Sequence, residues 1–364
     1  MNYNIFIIFT CSLVSSILFI KGLIRLSKEK FLYDKPIEER KIHIHNTPNL
    51  GGVGIFLSIL FTISLLCPPF KNYNFIFAAS VIIISFGVFD DLVGLSANTK
   101  FIAQILAAFI ISYFGNIRIQ NFNGFLGLYE LAFPLSMLLS IFVSVFLYNC
   151  FNLIDGINGL AGTLGFTASI FYSFLLFSAN KIFDMYLAIA IAGSLLGFLY
   201  FNINKAKIFM GDTGSLFLGV IFSVFSIQLM NGYMSSNFVK TPIALSLIIL
   251  IIPIFDTCRV ILLRLLNGTS PFKADDNHIH HRLFKIGFTH LQINIILSVI
   301  NLSLIMLNFY LQNLGEAQLI IFDIISIILI NIYLWSLSRQ PKIMGIIKKM
   351  NKNDLELNEK RKNE

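Results

Sequence analysis

The chain has 364 residues, 56% hydrophobic and only 13% charged, with a mean hydropathy of +0.78. A soluble domain of this length would carry more charge, so the composition describes an all-α polytopic membrane protein and excludes an ordinary soluble enzyme. The formal net charge of +8 does not indicate nucleic acid, because its distribution follows membrane topology.

Cys11, Cys67, Cys150 and Cys258 lie far apart with no C-x-x-C pair. They supply neither a zinc site nor a disulfide framework.

In chain order, apolar runs approaching the roughly 20 residues that cross hydrocarbon predict helices at 4–24, 51–66, 75–89, 101–114, 131–148 and 160–178. Further runs at 185–201, 215–230, 242–263, 293–311 and 319–337 complete about eleven transmembrane helices. Residues 1–338 read as one transmembrane domain, and 339–364 as a charged cytoplasmic tail. The first run is long for a signal-peptide core and no small-x-small cleavage pattern follows it, so it is expected to remain as a helix. With this number of spans the loops alternate between two sides. Of the 27 Lys and Arg, only Lys71, Arg118, Lys181 and Lys240 fall in one set of loops. By the positive-inside rule the other set is cytoplasmic, with the amino terminus outside and the carboxyl terminus inside.

Polar clusters at 36–52, 90–100, 149–159, 202–214 and 256–281 interrupt the apolar chain, and all fall on the expected cytoplasmic side. Charge near hydrocarbon costs at least ~2.5–3.5 kcal/mol per residue at a helix centre. The clusters therefore read as one cytoplasmic-face active site built from loops. Arg40, Lys41, His43 and His45, ahead of Gly51-Gly52, are candidate anion contacts, as are Lys100 and Gln104. Asp90-Asp91, at the end of the third helix, suits a hard cation such as Mg²⁺ or marks the membrane boundary. Asn152, Asp155 and Asn158 recur every three residues, so one helical turn presents them on a common face for a nucleotide or sugar. A polar Asx turn is the alternative.

Asp212 lies in Met210-Gly211-Asp212-Thr213-Gly214, a glycine turn opening the eighth helix, where free N–H groups favour phosphate. It is expected as a metal ligand or as the N-cap. Asp256 is expected to pair structurally with Arg259 or Arg264. His278, His280 and His281 stand too close together for a structural zinc set, and phosphate contact is the reading they support. Asp184 and Asp323 are expected at the interface, without chemistry.

In order, Arg40-Lys41-x-His43, Asp90-Asp91 with Lys100, Asn152-x-x-Asp155-Gly156, Phe209-Met210-Gly211-Asp212-Thr213-Gly214-Ser215, Asp256-Thr257 and His278-x-His280-His281 resemble one bacterial family. It comprises the polyprenyl-phosphate N-acetylhexosamine-1-phosphate transferases, of the glycosyltransferase family 4 type. The resemblance implies transfer of N-acetylhexosamine-1-phosphate, with N-acetylglucosamine leading, from a UDP-N-acetylhexosamine to undecaprenyl phosphate. It further implies release of UMP, initiation of a lipid-linked cell-envelope polysaccharide, a bacterial plasma-membrane location and, by analogy, a homodimer. The implied cofactor is Mg²⁺, with Mn²⁺ as a substitute.

Carried over by motif, Asp212 and Asp91 would hold the metal, and Asp90, Asp91 and Asp155 would be the catalytic group. Lys41, His43, Lys100, Asn152, Asn158, His278, His280 and His281 would bind substrate. Asn158 stands where many members have a second aspartate; it keeps hydrogen bonding but cannot act as a base. His-x-His-His favours the acetylglucosamine branch over phospho-N-acetylmuramoyl-pentapeptide transfer. A secondary transporter would place its ionisable groups near the midplane of repeated halves, and no such repeat is visible.

Overall fold

The computed structural model describes residues 5–30, 47–67, 73–122, 124–203, 205–231, 239–270 and 277–340. Lys41 and His43, with Arg40 and His45, lie outside the described residues, as does the tail beyond residue 340. Helices account for nearly all of what is described, as the composition requires. They are α1 (Ile5–Lys30), α2 (Gly51–Leu66), α3 (Asn74–Val93), α4 (Ala97–Phe109), α5 (Phe133–Ile154), α6 (Leu160–Ser178) and α7 (Ile182–Asn202). After these come α8 (Gly211–Met230), α9 (Pro242–Ile249), α10 (Ile251–Leu266), α11 (Ile279–Ile286), α12 (His290–Leu311) and α13 (Glu316–Ser338).

Each expected span falls on helix. Nine of those described are long and apolar enough to cross a membrane, and the bent α9–α10 pair makes ten. At 16 residues, α2 is the short apolar helix left outside that number. The protein is thus a polytopic helical membrane protein. The single span expected at 242–263 is broken at Leu250, and its halves meet at 74°. The cause is Pro253, which lacks the N–H that would have bonded the Ile249 carbonyl. Asn301 of α12 donates to that carbonyl at 3.2 Å, as a break at membrane depth requires.

Burial orders the bundle. The most apolar windows of α7 and α8 are 89% and 94% buried, whereas that of α13 is 17% buried. α7 and α8 are therefore the centre, and α13 presents its side chains outward. α1 and α6 pack on α7, and α3 and α5 pack on α8. Two carboxylates expected at the interface are instead buried. Asp184 accepts from the Tyr73 hydroxyl at 3.0 Å, and Asp323 accepts from Asn308 Nδ2 at 2.6 Å. A carboxylate near hydrocarbon needs such a donor.

Candidate active site

The start of α8 is the hub of the site. A helix start leaves four N–H groups without intrahelical partners, and here α3 supplies acceptors. Asp91 Oδ1 accepts from Asp212 N at 2.9 Å, while Asp91 Oδ2 accepts from Thr213 N at 3.2 Å and Thr213 Oγ1 at 2.7 Å. Gly211 permits this approach. Its φ is +71°, and a Cβ there would overlap the Asp91 carboxylate. The N-cap role expected of Asp212 thus belongs to Asp91, acting from another helix.

The opening of α2 is stitched to the same turn. Phe209 N donates to Pro48 O, Gly51 N to Phe209 O and Gly52 N to Met210 O, each at 2.9 Å. Gly52 lies so close to Gly214 that a side chain on either would collide with the other's backbone.

Capping by Asp91 leaves Asp212 directed elsewhere. Lys100 Nζ, from the first turn of α4, lies 3.0 Å from Asp212 Oδ2 and 2.5 Å from Asp90 Oδ2. Asp90 also accepts from Leu95 N at 2.7 Å, which fixes the short turn carrying the chain into α4. One ammonium therefore bridges two carboxylates from different helices. Gln104, expected to meet an anion, is buried and paired with Asn149 at 2.7 Å. Its amide is engaged by α5.

Asn152, Asp155 and Asn158 face the same cavity, of about 250 Å³, together with Asp91, Gly211, Asp212 and Ser215. Asn152 Nδ2 donates to Ser215 Oγ at 3.1 Å, linking the end of α5 to α8. Asp155 follows the last turn of α5. Burial, and then repulsion from Asp212 and Asp91, raise its carboxyl well above the usual range.

The histidines arrive on α11. Asp256, expected to form an arginine pair, lies 2.6 Å from Arg259 Nη2 and also accepts from Ile279 N at 2.9 Å. His278 Nδ1 is 2.8 Å from its second oxygen. Asp256 therefore orients the histidine loop, a role that its position inside an apolar run did not signal. His280 is 1% exposed and lies against Gly156, beside the cavity. Neither ring nitrogen of His280 has a protein partner. Burial first, and then neighbouring His281, push its pKa down to about 3, so it is neutral near pH 7. His281 lies tilted against His280 with ring centroids 4.3 Å apart, and His278 stacks on His280 at 5.6 Å.

The donors facing the cavity are carboxylate and amide oxygens, a set suited to a hard cation. Among the described residues no three His, Cys, Asp or Glu form a ready-made metal cage.

Residues 73–230 match glycosyl transferase family 4. The chain is 34% identical to a probable undecaprenyl-phosphate N-acetylglucosaminyl 1-phosphate transferase of Bacillus subtilis (strain 168), over 79% of each chain. It is 31% identical to the decaprenyl-phosphate N-acetylglucosaminephosphotransferase of Mycobacterium leprae (strain TN), over 69% of this chain and 70% of that one. It is 27% identical to the undecaprenyl-phosphate alpha-N-acetylglucosaminyl 1-phosphate transferase of Escherichia coli O157:H7, over 76% of this chain and 75% of the other. The chain belongs to glycosyl transferase family 4.

Proposed function

We propose that the protein transfers N-acetylglucosamine-1-phosphate from UDP-N-acetylglucosamine to undecaprenyl phosphate, releasing UMP, at the cytoplasmic face of a bacterial plasma membrane. The observation that carries this reading is the Asp90–Lys100–Asp212 bridge beside a polar cavity at the ends of apolar helices. The names of the relatives supply the substrate class, and the lysine and arginine distribution supplies the orientation.

The chemistry is an exchange of phosphoanhydrides. A phosphate oxygen of the lipid attacks the sugar-bearing phosphorus, and the bond to the UMP oxygen breaks. Two unit charges at 4 Å repel by about 4 kcal/mol at an effective dielectric near 20, so bringing the phosphates together is the main difficulty. Lys100 lessens it by neutralising one of the two carboxylates, Asp90 and Asp212, that would otherwise face the incoming phosphates. The attacking phosphate is largely ionised near neutral pH, so Asp90 and Asp155 serve chiefly to hold and orient.

Neutral His280 offers a nitrogen donor or acceptor to the diphosphate, and Asn152 and Asn158 offer amides to the nucleotide-sugar. Asp212, with Asp155 and Asp91 (the cap of α8) beside it, would hold Mg²⁺. When bound, that ion supplies charge neutralisation for the transferring phosphoryl group. Exposed apolar residues flanking the bridge, including Phe89 and Val93 on α3 and Phe101 and Ile102 on α4, suit an isoprenoid chain.

The test is incubation of purified protein with undecaprenyl phosphate, Mg²⁺ and a panel of UDP-sugars while UMP is measured. UMP release with UDP-N-acetylglucosamine, stopped by chelator and restored by Mg²⁺ or Mn²⁺, is expected. No release with any donor, or full release in chelator, would overturn the reading.

A further inference from the structure

The peptide group joining Asn158 to Gly159 is gripped on both sides by buried asparagines. Its carbonyl, on Asn158, accepts from Asn294 Nδ2 of α12 at 2.8 Å. Its N–H, on Gly159, donates to Asn202 Oδ1 at the end of α7 at 2.6 Å. Asn202 is 3% exposed and Asn294 is 2% exposed. The second hand of Asn202 reaches the next wall of the cavity, where Nδ2 donates to Ile208 O at 2.8 Å. Residue 159 has φ +82°, and a side chain there would strike the Asn294 amide. The glycine is therefore required both by conformation and by the grip itself.

Amides buried in helices that line hydrocarbon are costly unless they bond. Asn294 makes this bond while its Oδ1 has no protein partner. An asparagine kept with half its capacity unused is poor as simple packing. What it does here is fix one peptide. That peptide ends the loop bearing Asp155 and Asn158, and Asn202 ties it to the loop that leads into Gly211 and Asp212.

We propose that Asn202 and Asn294 act as a two-sided clamp, positioning residues that set the spacing between the Asp155 and Asp212 walls of the transferase site. The inference rests on the transferase reading for its kinetic test and is independent of it for its structural test. Asn294 is not among the residues lining the cavity, and it reaches the site through the peptide it holds.

The experiment uses the full chain in lipid nanodiscs with the near-isosteric variants Asn202→Leu and Asn294→Leu and the double variant. Hydrogen exchange across the peptide containing Gly159 should accelerate at least tenfold in Asn202→Leu, because its N–H loses its acceptor. In each single variant kcat should fall on the order of tenfold or more, while KM for UDP-N-acetylglucosamine changes by less than about threefold. Both side chains hold one peptide, so the double variant should be little worse than the worse single. Unchanged exchange at Gly159, wild-type kcat in both singles, or multiplying losses in the double would each overturn the clamp. A wild-type protein that releases no UMP would instead sink the transferase reading, and exchange at Gly159 would still decide the clamp.

Discussion

Gly156 and His280 meet face to face, and a methyl group placed on the glycine would overlap the imidazole. The contact joins the loop after α5 to α11, which are more than 120 residues apart. Gly156→Ala is therefore expected to displace His280 while leaving the exposed loop otherwise intact. Misplacement of about 1 Å at a reacting centre costs on the order of 10²-fold. UMP release should fall by that much; wild-type turnover would show that His280 position is immaterial.

Lys100 is the shared cation of Asp90 and Asp212. Lys100→Met keeps the stem and removes the charge, leaving two facing carboxylates uncompensated. Turnover is expected to fall about 10²-fold, as when a positioned electrostatic group is lost. Steady-state kinetics with saturating UDP-N-acetylglucosamine would check this.

Asp91 accepts three hydrogen bonds from the first turn of α8. Asn at this position replaces one acceptor oxygen with a donor that faces other donors. Asp91→Asn should therefore lose stability as well as activity, by about 1–3 kcal/mol for a buried donor left unmatched. Asp212→Asn removes no cap and should lose activity without that loss. Thermal melts of the two variants would separate these roles, and equal melting temperatures would refute the capping assignment.

His280 makes acid pH destabilising. Its folded pKa is about 3 against an ordinary 6.5, so the unfolded chain takes up a proton that the folded chain refuses. The associated stability is complete above pH 6.5 and declines as pH falls from 6.5 toward 3. Melting temperature measured from pH 7.5 down to 4.5 should fall less steeply in His280→Gln than in the wild type. Parallel curves would mean that the imidazole titrates normally.

The helical spans and the polar clusters were legible because both are local properties of the sequence. A 20-residue apolar run signals a span, and a carboxylate at its end is conspicuous. Partner choice was less legible. Asp256 gave no hint that its two oxygens would hold His278 and the Ile279 amide as well as Arg259, since those contacts need the bend at Leu250 to aim α10. Pro253 was the available sign of that bend. Gln104 read as an anion contact from its helix position alone, whereas a neighbouring helix occupies its amide. Asn202 was visible only as the first residue of a polar cluster and Asn294 left no signal, because each touches backbone rather than a side chain. Asn294 even reads as an ordinary member of an apolar span.

The hydrogen bonds between residues 48–52 and 209–210 have a bearing on biogenesis. During synthesis, α2 would emerge long before the carbonyls that receive its first N–H groups. Its opening turn stays unfinished through the insertion of five further helices, and the histidine loop is later still. The polar cavity is thus among the last parts of the molecule to close, and a ribosome stalled before residue 209 would leave a membrane-inserted bundle that lacks its Asp212 wall.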